Sequence, residues 1–454
     1  MPSVLFIAYH FPPGGGAGVQ RSVNFVRDLP ALGFDPIVLT GPGGAHDRWT
    51  PRDVAVGGGF TGKLYRAAGP VPEDKSVWSS RLRNWLGLPT PFSMWWTESA
   101  VKAVPESLDG AQLIFATMSP FSTAVVAQQL SQRAGIPWVA DLRDPWALDE
   151  MQIHPTSAHR RLEVRRMERA LCGAAGIIMN TPEACAALRR SFSWVARKPV
   201  ITITNGFDAV DFDGKTVPRK DGKFRLVHTG YFHTELGLKL RKRKRLYELF
   251  GGMEPGMDIL TRSHVFLLQA VERWIAERPG VAVDLEIVFA GVTSREDESV
   301  VANSGAARLV RFMGYIPHCE SVQLIRSADA LFLPMYNLAD GRRSRVVPGK
   351  TYEYMATGRP ILAAVPEGDA RDFLQQSGNA LLCRPDDVRS MAGALDHVYT
   401  AWKGGKPVTN PNRVFIGLFE RRKLAQDLAD FFASLLNGGM RHRGRCGGGR
   451  LLTG

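Results

Sequence analysis

The chain is defined first by what it has little of. No run of about 18 apolar residues occurs, so no stretch reads as a transmembrane helix. The opening MPSVLFIAYHF has neither a basic segment nor a small-residue cleavage site, and it reads as a first strand instead of a secretory signal. Five scattered cysteines (Cys172, Cys185, Cys319, Cys383 and Cys446) contain no CxxC pair. Their odd number and irregular spacing argue against a disulfide framework and fit a reducing cytoplasm. HExxH, GxSxG and any His/Cys ligand cluster are missing, which removes the zinc-protease and serine-hydrolase classes. What remains is a 454-residue chain, 44% hydrophobic and 22% charged, with the composition of a globular protein and too long for one ordinary core. Two domains are the first expectation.

The net charge of +13 is local. Lys239, Arg241, Lys242, Arg243, Lys244 and Arg245 form one run, and Arg441, Arg443, Arg445 and Arg450 lie in a Gly-rich tail; without these ten the rest carries about +3. The first run lies among leucines (Leu236, Leu238, Leu240, Leu246 and Leu249) and suits either a solvated helix or loop, or contact with an anionic membrane surface. Nucleic acid is not expected, because no aromatic residue interleaves with those cations.

Along the chain, residues 4–9 are an apolar run, followed by Gly14-Gly15-Gly16-Ala17-Gly18 and a helix face at Val19, Val23, Val26 and Leu29. Strand, glycine loop and helix open a doubly wound α/β domain. The glycines permit close backbone approach to a ligand, or form a plain flexible turn; they match neither GxGxxG nor the Walker pattern. Further short strands are read at 36–40, 113–117, 137–140, 176–180 and 200–204, and helices at 119–129, 160–171 and 181–191. The 137–140 strand ends in Asp141-Leu142-Arg143-Asp144, where open α/β sheets bind ligands. Its carboxylates can orient sugar hydroxyls and Arg143 can offset phosphate charge; the alternative is a self-satisfied Asp–Arg pair that fixes a turn.

Residues 208–222 are polar and read as a linker; the Asp211-Phe212-Asp213 triplet inside it reads as a solvated turn, not a metal site. The strand–helix pattern then restarts, with strands at 225–228, 283–290, 309–312 and 330–334 and an interruption at 235–262 that carries the basic run. The most informative stretch is 346–364, VVPGKTYEYMATGRPILAA. It reads as loop, helix from just after Gly349, stop at Gly358 and Pro360, and buried strand at 361–364. A helix N-terminus with Lys350 beside it suits a phosphate, and Glu353 in the first turn can accept ribose hydroxyls. An ordinary αβ unit with a solvated lysine is the bland alternative. Residues 414–436 read as one amphipathic helix.

Taken together, YHFPPGGGAG, ADLRDPW, TNGFD, HTGYFH, FMGYIPHCESVQLIRSADALFLPMYN and VPGKTYEYMATGRPILA resemble the family 4, or group 1, glycosyltransferases of the GT-B fold. The resemblance covers roughly residues 1–230 and 262–436. It implies an α/β fold of two facing Rossmann-like doubly wound domains with a cleft between them. The expected division is an acceptor-side domain at 1–207, a linker at 208–222 and a nucleotide-sugar domain at 223–410 with the insertion 235–262. A helix at 411–436 is expected to cross back to the first domain, and 437–454 to be a disordered tail.

By the same resemblance the chain is a retaining glycosyltransferase without metal or cofactor. Its donor is a nucleotide-diphosphate sugar, and its acceptor is a glycan or lipid-linked precursor of cell-surface polysaccharide or glycolipid. Glu353 matches the ribose ligand. Lys350, Gly349 and Thr351 match the diphosphate turn, with Arg345 and Gly230 beside it, and Gly314, Tyr315 and Ile316 match the base-binding loop. Gly14, Gly15, Gly16 and Arg143 fall on the acceptor and phosphate side, with Asp141, Asp144 and His10 as catalytic candidates. Three departures stand out. Arg345 occupies the place of the first glutamate of E-x7-E, eight positions before Glu353. Met118-Ser119-Pro120 stands where many members have a histidine. The usual Arg and Lys after the second domain's first strand are displaced by the insertion, which is left to supply them. A non-catalytic nucleotide-sugar binder and a sugar-nucleotide epimerase of the same fold are the alternatives.

Overall fold

The structure is a computed structural model that describes residues 1–15, 17–43, 60–72, 83, 85–214 and 219–438. Gly16, Cys446 and the tail arginines lie outside the described residues, as does the tail beyond 438.

The first sheet has seven strands: β1 (Ser3–Ala8), β2 (Asp35–Thr40), β3 (Leu64–Arg66), β4 (Leu113–Met118), β5 (Trp138–Leu142), β6 (Gly176–Met179) and β7 (Val200–Thr202). They pair in parallel in the order β3-β2-β1-β4-β5-β6-β7, with Val4 opposite Pro36 on one side and Leu113 on the other. Helices cover both faces, which is why these strands are unbroken apolar runs and not alternating ones. Val4, Leu5, Phe6 and Ile7 are all fully buried.

The second sheet repeats the plan with β8 (Phe224–Thr229), β9 (Leu285–Ala290), β10 (Val310–Gly314), β11 (Ala330–Pro334), β12 (Ile361–Ala364) and β13 (Ala380–Cys383). Its order is β10-β9-β8-β11-β12-β13, again all parallel. In each sheet the winding reverses beside the first strand, between β1 and β4 and between β8 and β11. These switch points open crevices at the carboxyl ends of the strands, and the two crevices face each other.

Two helices differ from expectation. The helix after β4 begins at Thr123, not at Ser119, because residues 119–122 form a turn that stacks Phe121 on Trp146 at 4.7 Å. The last helix is not continuous. It comprises Arg413–Ile416, a tight turn at Gly417–Phe419 and Arg421–Gly438. The break lets residues 419–421 bond Phe207 at the end of the first domain (Phe207 N to Phe419 O 3.1 Å, Arg421 N to Phe207 O 3.0 Å). Beyond the break, Leu424, Leu428, Phe431 and Phe432 join the core under β1 and β4. The interruption at 235–262 is ordered: helix Thr234–Leu249 buries Gly237 and Leu240, and Met253, Met257 and Ile259 after it enter the second domain's core beside Tyr336. The Asp211-Phe212-Asp213 triplet ends a short helix, Ala209–Phe212.

Candidate active site

A cavity of about 650 Å³ lies where the two crevices meet. From the second domain, three strand ends form its ledge. Gly230, just past β8, gives its N–H to Ala290 O, and Gly291, just past β9, gives its N–H to Gly314 O, both at 2.7 Å. Gly230 has φ +102°, and a Cβ there would sit 2.6 Å from Lys350 Nζ. A side chain would therefore both strain the backbone and displace the lysine.

Helix Lys350–Thr357 points its N-terminus at this ledge. Gly349 precedes it, and Gly358 at φ +70° ends it. Thr351 and Tyr352 give their N–H groups to Pro348 and Gly349 carbonyls (2.9 and 3.3 Å), leaving those of Gly349 and Lys350 without a helical partner. Lys350 Nζ lies 3.2 Å from His228 Nε2. His228 bonds Phe332 O through Nδ1 at 2.9 Å, so Nδ1 carries the proton and Nε2 accepts from the lysine. Burial of the ammonium, with like charge from Arg262, lowers its pKa to about 7, while Glu353 opposes the shift. Burial and Lys350 together push His228 far below the ordinary imidazole range.

One helical turn on, Glu353 Oε1 lies 3.0 Å from His318 Nε2 and 3.9 Å from Arg421 Nη2. Burial raises the Glu353 carboxyl, but His318, Arg421 and Lys350 outweigh it and hold the pKa below its usual value. Burial lowers His318, and Glu353 with Asp211 more than reverses that. Each partner therefore favours the charged form of the other. Arg421 also reaches Asp208 and Gln20, each at 2.7 Å, so this corner joins the second domain, the linker and the first helix of the chain.

The first domain supplies the opposite wall. Gly18, Gln20, Arg21 and Asn24 come from helix Ala17–Asp28, and Arg143, Asp144, Asn180 and Asn205 come from strand ends. A Cβ on Gly18 would fall 2.0 Å from Arg143 Nη1, so glycine there makes room for the guanidinium. Asn180 ties the strand ends together by donating to Arg143 O (2.7 Å) and accepting from Asn205 N (2.9 Å).

Of the residues singled out in the sequence, the cavity brings together Glu353, Lys350, Gly349, Gly230, Tyr315, Ile316, Arg143 and Asp144. Gly314 supports the ledge from beneath. Thr351 is buried inside its helix. Gly14 and Gly15 do not line the cavity; the glycine loop reaches it through Gly18. His10 packs edge-on against Tyr9 at 5.0 Å, outside the cavity wall. Asp141 is fully buried and gripped by Arg21 (2.7 and 3.1 Å), which also bonds the Thr204 and Ile203 carbonyls. That places Asp141 in a pair that positions the wall, with Arg21 and not Arg143 as its partner. Arg345 turns away from the cavity to donate to Leu148 O at 2.6 Å, while its N–H bonds Glu150 at 2.8 Å.

The wall residues that escaped the sequence reading include Arg262, His318, Gly291 and Asp149. Arg262 closes the 235–262 interruption and puts a cation close enough to Lys350 to depress its pKa. Burial, then Glu150, raises Asp149 to about 7. Both are single polar residues with no motif around them. A second cavity, about 670 Å³, borders the first and shares Gln20, Asn24, His318 and Arg421 with it; Asp211 lines this second space. Among the described residues no cluster of three His, Cys, Asp or Glu side chains is placed to hold a metal ion.

Two parallel-sheet domains facing across a nucleotide-sized cleft define a GT-B protein. Residues 258–401 match the family described as group 1 glycosyl transferases, so the second domain carries a group 1 glycosyl transferase domain. Solved structures of the same fold include Anabaena HepE in complex with UDP and glucose (15% identity, TM-score 0.56, covering 96% of this chain and 100% of that one). Sucrose-phosphate synthase from Thermosynechococcus elongatus is 17% identical, with TM-score 0.63 and the same coverage. S. aureus MnaA with UDP is 12% identical, with TM-score 0.53, covering 96% of this chain and 97% of that one. No curated protein sequence matches the chain significantly.

Proposed function

We propose that this chain is a retaining glycosyltransferase that moves a sugar from a nucleoside diphosphate sugar to a glycan or lipid-linked acceptor. The observation that carries the proposal is Lys350 at a helix N-terminus, over the Gly230–Gly291 ledge and beside Arg262. A diphosphate fits this cradle because unpaired N–H groups, the helix dipole and two cations converge there. Glu353, held ionised by His318, would take the ribose hydroxyls, and Tyr315 and Ile316 would flank the base. Fold relatives that bind UDP, with or without glucose, support a nucleotide-sugar donor.

In the transfer, the acceptor oxygen bonds the anomeric carbon on the face from which the diphosphate leaves. The carbon–oxygen bond to phosphate breaks, and the diphosphate keeps the electron pair. The same phosphate oxygen takes the acceptor's proton, so no protein nucleophile is required. Lys350, Arg262 and the helix N-terminus stabilise the charge that develops, commonly the largest catalytic term. Because these cations belong to the chain, the mechanism calls for no resident metal or cofactor. Asp144 and Arg143, across the cleft, are placed to orient the acceptor. The enzyme would work in the cytoplasm at the inner face of a membrane, with the basic run 239–245 toward anionic lipid, in surface polysaccharide or glycolipid synthesis.

A thermal-shift screen against nucleoside diphosphates and their sugars tests the donor site, since a ligand that binds only the folded state raises the melting temperature. Lys350→Ala and Glu353→Ala are each expected to abolish most of the shift while leaving the ligand-free melt close to wild type. Wild-type affinity in both variants would overturn the site. Nucleotide release that depends on added acceptor separates a transferase from an epimerase or a binder.

A further inference from the structure

The helix Thr234–Leu249 buries one side, at Gly237 and Leu240, and turns the other outward. The outward side is neither purely polar nor neutral. Leu246, Leu249 and Phe250 are 52%, 79% and 50% exposed, and Lys242, Arg243 and Arg245 beside them make no ion pair or hydrogen bond among the described residues. By contrast, Lys239 and Arg241 are paired with Glu235 and Asp258.

The first domain continues this surface. Ser157 N bonds Phe250 O and His154 N bonds Gly252 O, each at 2.8 Å, so the end of one helix abuts the start of helix Ser157–Leu171. That second helix presents Arg161, Arg165 and Arg169 along one exposed stripe, all without partners among the described residues. Beside it, His159 bonds Trp85 O at 2.7 Å and Arg166 bonds Gly87 O, which fixes Trp85 and Leu86 at 63% and 53% exposure. Met151 and Gln152, just before the junction, line the cleft. The basic and apolar surface therefore borders the mouth of the candidate active site.

We propose that both domains dock together on an anionic lipid bilayer through this surface, with Trp85, Leu86, Leu249 and Phe250 entering the interface and the unpaired arginines and lysines meeting the headgroups. The proposal extends the membrane contact proposed above for 239–245 and rests on it. Exposed leucines and a tryptophan gain by leaving water for the acyl boundary, whereas cations alone would serve any polyanion. Three of the five exposed apolar residues on this surface, Leu86, Leu246 and Leu249, offer no stacking platform for bases, which favours lipid over nucleic acid. Docking on both sides of the cleft would set its mouth against the membrane, where a lipid-linked acceptor is presented.

The test is co-sedimentation of the full chain with vesicles of equal parts phosphatidylglycerol and phosphatidylcholine, against phosphatidylcholine alone, at two salt concentrations. Wild type should bind the anionic vesicles, release with salt, and ignore the zwitterionic ones. Leu246→Ser/Leu249→Ser/Phe250→Ser and, separately, Trp85→Ser/Arg161→Ser/Arg165→Ser should each weaken binding by about tenfold or more, with melting temperatures near wild type. Wild-type vesicle binding by the Trp85 variant overturns the shared face but leaves the 239–245 contact standing. Binding to single-stranded RNA without binding to vesicles overturns both. Neither result touches the donor site, which the nucleotide screen judges on its own.

Discussion

Lys350 is a half-buried cation whose hydrogen-bonding neighbour among the described residues is the uncharged edge of His228. Desolvation brings its pKa from 10.5 to about 7. The folded value is depressed, so the free protein is penalised as pH falls from about 10.5 toward 7, where the lysine must charge within the fold. A diphosphate reverses the balance by offering the ammonium a counter-charge. Above pH 7, binding should therefore draw a proton from solvent. Calorimetry at pH 8 in buffers of different ionisation enthalpy should give different apparent binding heats for wild type. Lys350→Arg, which stays charged throughout, should bind with no buffer dependence. Equal heats for wild type in all buffers would show that Lys350 is already charged in the free protein.

At the level of elements, the 350–364 unit was legible because every signal in it is local: Gly349 before the helix, Glu353 one turn in, Gly358 and Pro360 after it, a short apolar strand next. Most strands were legible for the same reason; β3, three residues that are exposed or half-buried, was not. Side-chain destinations were not. Asp141 and Arg345 sit where the chain places site residues, but sequence spacing does not say where a guanidinium or carboxylate points. One is consumed by Arg21, the other by the Leu148 carbonyl. Arg262 and Asp149 were missed because topology alone carries them to the cleft. The final helix was visible as an amphipathic pattern, while its break at 417–420 depends on a remote backbone partner, Phe207. Its packing gives an element-scale prediction. Phe432 is fully buried, its ring 5.5 Å from both Phe34 and Phe115. Phe432→Ala should destabilise the protein by about 3–5 kcal/mol, read as a lower denaturant midpoint. A loss below about 1 kcal/mol would mean that the helix contributes little to the first domain's core.

The whole molecule is strapped on both flanks of its cleft. On one flank Thr181 Oγ1 bonds Arg345 O (2.7 Å), Glu183 N bonds Asp369 (2.7 Å) and Tyr336 bonds Glu150 (2.5 Å). On the other, beside the backbone pairs of His154 and Ser157, a single carboxylate holds two arginines. Glu254, nearly buried, meets Arg160 of the first domain at 2.7 Å and Arg342 of the second. Take that carboxylate away and two guanidinium groups from opposite domains face each other without a counter-charge. Repulsion would then act across the cleft mouth, at the junction where the basic and apolar surface passes from one domain to the other. Glu254→Ala should cost about 1.5–3 kcal/mol, the scale of a hydrogen bond to a charged group. It should also raise the radius of gyration of the nucleotide-free protein in small-angle scattering. Glu254→Gln keeps an acceptor and should recover part of both effects. A lowered melting temperature with an unchanged scattering curve would confine Glu254 to the second domain's own stability and leave the opening of the cleft to the opposite flank.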